Sequence, residues 1–135
     1  PIQLQVLIYP VTDMTLSHPS MTQCGKGYIL TKSLMEWFRK HYLPDEAMWR
    51  DPDASPLHSR DLSKLPEAFI LTAGFDPLRD EGKAYADALS ASGVSTEYIC
   101  YEKMIHGFLN MPAVLDQGRE AITQTAAFIK KKLNR

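Results

Sequence analysis

From Ala68 to its end the sequence alternates between two periods, and this limits what the chain can fold into. Ala68-Phe69-Ile70-Leu71-Thr72-Ala73 is a short unbroken apolar run that stops at Gly74, and Thr96 to Tyr101 is a second run rich in β formers. Between them, Pro77 to Ser92 places Leu78, Tyr85, Ala88 and Leu89 on one helical face, and Gly93 ends that helix. After them, Leu115 to about Leu133 sets Ile122, Ala126, Ile129 and Leu133 at spacings of 4, 3 and 4 as an inward face. Lys130 to Lys132 crowd its C-terminal end, where the helix dipole favours cations. Strand, helix, strand, helix is a βαβ unit whose strands pair in parallel. The fold class expected is α/β, with parallel strands and flanking helices.

The first half reads less regularly. Leu4 to Tyr9 is a third apolar strand, stopped by Pro10. Residues 10 to 30 are loop with a helical turn. Thr31 caps a helix to about His41, with Leu34, Trp37, Phe38 and Tyr42 at helical spacings. Pro44-Asp45 restarts a short helix carrying Met48 and Trp49, and the polar, proline-rich stretch at 50–67 is a surface connection. Three strands make a thin sheet for a pattern that needs cover on both faces. The chain also starts at Pro1, without a methionine, almost directly on a strand. These features suggest a piece of something longer, or a mature processed product, with partner strands outside residues 1–135.

Composition narrows the class of function. With 44% hydrophobic and 23% charged residues and a net charge of −1, the chain offers no electrostatic reason to bind nucleic acid or an anionic membrane. No apolar stretch approaches the roughly 18 residues of a membrane span. Cys24 and Cys100 form no CxxC pair, so neither a disulfide framework nor a zinc site is expected. Free thiols and the lack of a visible signal peptide suggest the cytoplasm. No metal or cofactor is expected.

In an open parallel sheet, ligands bind outside the carboxyl ends of the strands. Two titratable residues follow such ends: Asp76 in LTAGFDPLRDEG and His106 in YEKMIHGFLN, 30 residues apart. On adjacent strands they would emerge at one rim, where a carboxylate could fix the imidazole tautomer and leave its other nitrogen free to take a proton. Asp76 before Pro77 is equally a good helix N-cap, and a lone loop histidine is more often a packing residue. Asp80 and Glu81 read as first-turn acids favoured by the helix dipole. His18, His41 and His58 have no partner at metal-ligand spacing.

Taken in order, YPVTD at 9–13, DASPL at 53–57, DPLRDEG at 76–82 and HGF at 106–108 resemble the C-terminal half of the hormone-sensitive-lipase-like (bacterial family IV) esterases and lipases of the α/β-hydrolase fold. The resemblance implies a carboxylester hydrolase of the Ser-His-Asp type, with Asp76 as triad acid and His106 as base. It implies that 11–60 is part of a lid, with Trp37, Phe38, Leu78 and Phe108 as candidate substrate contacts. A short- or medium-chain ester is the substrate expected, and a homodimer through strand 96–101 and the last helix is a further expectation.

The family's GDSAGG-type elbow and HGGG-type loop do not occur in this sequence. GVSTE around Ser95 is the nearest match, but its second glycine is replaced by Glu97, and it lies in a helix-to-strand turn rather than a strand-to-helix one. The nucleophile is therefore expected in an N-terminal segment outside these residues, and the isolated chain is expected to be inactive. The alternative of another class is a non-catalytic α/β domain or truncated paralogue, in which Asp76 caps and His106 packs.

Overall fold

The computed structural model describes residues 2–133. Its centre is β2 (Glu67–Phe75), whose apolar run lies between β1 (Leu4–Ile8) and β3 (Thr96–Ile105) in a three-stranded sheet ordered β1-β2-β3. Both pairings are parallel, with Leu7 opposite Ile70 and Leu71 opposite Ile99. Side-chain alternation along β2 divides the core into two layers. Ala68 and Ile70 pack with Tyr85, Ala86 and Leu89 of α3 (Arg79–Ala91) on one face. Phe69, Leu71 and Ala73 pack with Ala121 and Phe128 of α4 (Asp116–Leu133) on the other, where Phe69 and Phe128 lie 5.3 Å apart.

A long excursion joins β1 to β2. It contains α1 (Pro19–Gln23), α2 (Lys32–Tyr42) and 3₁₀ turns at Glu46–Met48 and Pro56–His58. Thr31 caps α2 by accepting the Leu34 N–H, as its position predicts. Leu16, Met21, Leu30 and Met35 form a third apolar cluster with Leu78, which fastens the excursion to the start of α3.

Four local expectations need correction. First, β3 does not stop at Tyr101. Ala73 pairs with Tyr101 and Phe75 with Ile105, so a bulge carries the strand through Glu102 and Lys103. Polar side chains are tolerated there because β3 is an edge strand, and β2 likewise runs past Gly74 to Phe75. Gly74 is required at the bulge, since a Cβ there would stand 1.9 Å from the Glu102 carbonyl oxygen. Second, α3 starts at Arg79 with Leu78 at its N-cap, so Asp76 is not the cap residue. Third, α4 buries Gly118, Ala121 and Phe128, leaving Ile122, Ala126 and Leu133 exposed. Both helix faces carry apolar residues, and the close approach of Gly118 to Phe108 and Pro112 selects the one that faces inward. Fourth, the side chain α2 buries is Met35; Leu34, Trp37, Phe38 and Tyr42 stay substantially exposed.

Candidate active site

Asp76 lies one residue past β2 and His106 one residue past β3. The strands are parallel neighbours, so both side chains emerge at the carboxyl rim. His106 Nδ1 lies 2.8 Å from Asp76 Oδ2, and the Asp76 carboxylate is fully buried. An ionised carboxylate only accepts, so Nδ1–H is the donor and Nε2 carries the free lone pair. The other oxygen, Oδ1, accepts the Leu78 N–H at 2.9 Å, and the Asp76 carbonyl accepts the Arg79 N–H at 3.1 Å. One carboxylate thus both organises the turn into α3 and holds the imidazole, which unites the cap-like reading and the orienting reading of Asp76. Gly107 follows at φ +84°, a left-handed turn that leads into the 3₁₀ turn Phe108–Asn110.

His106 borders a cavity of about 620 Å³, a size common to small-molecule sites. Its walls are mainly apolar: Tyr9 and Val11 after β1, Met35 and Phe38 of α2, and Leu78. Of the candidate substrate contacts, Phe38 and Leu78 line this cavity. Trp37 lies off it, 54% exposed and packed at a tilt against His41 with centroids 4.2 Å apart. Phe108 is fully buried, 5.1 Å from the Tyr101 ring and 6.2 Å from that of Tyr9, so it supports the rim from beneath instead of facing the cavity.

Beneath the cavity lies a polar layer that the sequence disguises. Glu81 is fully buried. Its Oε1 accepts the N–H groups of Thr12 at 2.7 Å and Asp13 at 3.1 Å, and the Thr12 hydroxyl donates to its backbone carbonyl at 3.0 Å. Oε2 is enclosed with no hydrogen-bond partner among the described residues. Burial pushes this carboxyl up to about 8 against the lowering effect of the two N–H groups, and the nearby Asp13 and Asp76 add to the rise. Glu81 does lie in the first turn of α3, but it is also a buried acceptor for distant backbone N–H groups. Asp13, also buried, lies within 3.2 Å of His18 Nε2 and 3.0 Å of His58 Nε2. Burial raises the Asp13 carboxyl, but hydrogen bonds from Thr15 and His58 outweigh it and hold the group below its ordinary range. Arg39 ties α2 to this layer, with Nη1 donating to the carbonyls of Met14 at 3.0 Å and Thr15 at 3.1 Å, and its guanidinium 3.5 Å above the Trp49 ring.

These partners are distant in sequence, and no local pattern links them. Among the described residues no cluster of His, Cys, Asp and Glu could hold a metal ion. No helix among them is long and apolar enough to cross a membrane.

Comparison with known proteins fits this geometry. A family model described as alpha/beta hydrolase fold matches residues 1–110. The chain is 47% identical over 109 residues to the carboxylic ester hydrolase LipN of Mycobacterium tuberculosis, covering 80% of this chain and 29% of LipN. It superposes with a TM-score of 0.93 on EstE1, a thermophilic carboxylesterase cloned from a metagenomic library, at 40% identity and covering 98% of this chain and 46% of EstE1. A hyperthermophilic esterase from Pyrobaculum calidifontis gives 0.92 at 43% identity, covering 96% of this chain and 43% of that one. The chain thus spans less than half the length of these relatives. By sequence and by fold, it belongs to the hormone-sensitive-lipase-like esterases of the alpha/beta hydrolase fold.

Proposed function

We propose that the protein is a serine-type carboxylester hydrolase in which this chain supplies the acid, Asp76, and the base, His106. The observation that carries the reading is the 2.8 Å contact between the buried Asp76 carboxylate and the half-buried His106 at the carboxyl ends of adjacent parallel strands, beside an apolar cavity. In the reaction, His106 Nε2 takes the proton of a serine hydroxyl as its oxygen attacks the ester carbonyl carbon. The imidazolium then gives that proton to the departing alcohol oxygen, and a water molecule repeats the sequence on the acyl-enzyme. Asp76 holds the ring in one tautomer and stabilises its charged form throughout.

The serine and the oxyanion donors belong to sequence outside these 135 residues. Ser95 is unsuited to the role, because it precedes the first residue of β3 whereas His106 follows the last. Ten residues of strand separate the two by roughly 30 Å at about 3.3 Å per residue. Phe38 and Leu78, with Met35 and Val11, serve as walls for the apolar part of a short- or medium-chain ester, and the 11–60 excursion as part of a lid. The open edge of β3 in the described sheet and the exposed Ile122 and Leu133 of α4 leave surfaces through which two copies would pair.

The test is hydrolysis of p-nitrophenyl butyrate. In the full-length protein Asp76→Asn lowers turnover by roughly 10⁴. The 135-residue chain alone stays at the buffer rate. Near-normal turnover by the Asn variant would reduce Asp76 to a turn former. Turnover by the short chain would overturn the assignment of the nucleophile.

A further inference from the structure

We infer that Tyr9 is a positioning residue for His106: its ring, set by a left-handed backbone, packs on the imidazole and favours the charged ring formed when the base takes a proton. The inference rests on the acyl-transfer reading above and adds a residue to it.

Tyr9 has φ +37°, one of two non-glycine residues with positive φ among those described. A bulky L-residue seldom adopts this conformation, and such outliers persist where the surroundings hold them. Here the Tyr9 N–H donates to the Leu71 carbonyl at 2.6 Å, adding one more parallel bond to the ladder just past β1. The chain then turns out of the sheet into Pro10. A glycine or asparagine would make such a turn at lower cost, so a tyrosine there points to a use for the side chain.

The ring supplies that use. β1 and β3 are not neighbours, because β2 lies between them. The Tyr9 ring nevertheless reaches across the end of β2, and its centroid lies 4.4 Å from that of His106 at an interplanar angle of 54°. Phe108, two residues after His106, backs the same ring at 6.2 Å. Asp76 therefore holds the imidazole by one edge, at Nδ1, while Tyr9 packs against it from the β1 side. The titratable and charged groups around the imidazole are Asp76, the Tyr9 hydroxyl, Glu81 beyond Asp76, and Arg39 on the same cavity. Of these, the Tyr9 ring is the one in direct contact besides Asp76. An aromatic ring attracts a cation within about 6 Å of its centroid, so this contact strengthens as the imidazolium forms. A tyrosine that only filled the cavity wall would not distinguish the two charge states of His106.

The experiment compares Tyr9→Leu, Tyr9→Phe and His106→Ala in the full-length protein, by kcat and KM on p-nitrophenyl butyrate and by the pH profile of kcat/KM. Tyr9→Leu keeps an apolar side chain on the same backbone but removes the ring. Its kcat falls roughly 3- to 10-fold, and the apparent pKa of the base falls by about half a unit to one unit, with KM within about two-fold. Tyr9→Phe recovers most of that loss. Should Tyr9→Leu fail to fold, pentafluorophenylalanine at position 9 keeps the shape and inverts the ring quadrupole, and the same fall is expected relative to Tyr9→Phe. An unchanged profile in the ring-less or fluorinated protein, with His106→Ala inactive, overturns the role of Tyr9 alone. Activity surviving in His106→Ala would instead overturn the acyl-transfer reading.

Discussion

Replacing Glu81 by glutamine should change how stability depends on pH, and the size of the change follows from its surroundings. In the folded chain burial pushes this carboxyl from 4.5 to about 8. A carboxyl whose folded pKa lies above its unfolded value stabilises the protein fully at pH below the unfolded value. That contribution is lost as pH rises through the window from about 4.5 to about 8. At about 1.36 kcal/mol per pH unit, the loss across the window is on the order of 5 kcal/mol, an upper bound because rearrangement around the ionised group would relieve part of it. Glutamine keeps an oxygen to accept the Thr12 and Asp13 N–H groups, and cannot ionise. The assay is urea unfolding of both proteins at pH 5, 6, 7 and 8, with the difference between the two curves cancelling the other titrating groups. The wild type should lose stability relative to Glu81→Gln at every step, by several kcal/mol in all. Parallel curves would show that Glu81 ionises as freely folded as unfolded, and the account of a neutral buried acid under the site would be wrong.

Two further outcomes test the scaffold. Gly74→Ala places a Cβ 1.9 Å from the Glu102 carbonyl oxygen, so the β2–β3 bulge must open. The expected cost is on the order of 3 kcal/mol by urea unfolding, and a loss below about 1 kcal/mol would mean the bulge is not rigid. Asp13→Asn leaves His18 and His58 facing an amide and should cost about 1–3 kcal/mol at pH 7. Because the Asp13 pKa is lowered in the fold, its contribution is present above the unfolded value near 3.8 and is lost as pH falls through the folded one. The penalty measured at pH 7 should therefore shrink in acid, and a pH-independent penalty would point to packing alone.

Much of this was legible in the sequence where local and global preferences agree. The unbroken apolar run at 68–73 could only be a strand covered on both faces, and it is the centre of the sheet. Thr31 sits where a capping oxygen is needed and accepts the expected backbone N–H of Leu34. That Asp76 and His106 meet followed from topology, since adjacent parallel strands must present their ends at one rim. What stayed hidden depended on partners far away in the chain. Periodicity pointed to Ile122, Ala126, Ile129 and Leu133 as the inward face of α4, and the packing of Gly118 and Phe128 turns a different face inward. Glu81 in the first turn of α3 looks like any dipole-favoured acid until Thr12 and Asp13, 69 and 68 residues earlier, donate to it. The apolar pattern also ended β3 at Tyr101, because Glu102 and Lys103 interrupt it before Met104 and Ile105.

These hidden contacts share one physical consequence for the site. The cavity wall comes from the excursion, whereas the acid and base come from strand ends, so the two must be registered against each other. Leu78 does this on the apolar side: its N–H binds Asp76 while its side chain packs with Met21, Leu30 and Met35. Glu81, one helical turn later, does it on the polar side by gripping the backbone of Thr12 and Asp13, and Asp13 passes the constraint to His18 and His58. A single turn of α3 thus fixes both the carboxylate that orients the imidazole and the loop that carries Tyr9, Pro10 and Val11 to the cavity. Loosening Glu81 should accordingly weaken the packing of Tyr9 on His106 through the Pro10–Asp13 loop, while the Leu78 N–H still holds Asp76 against His106.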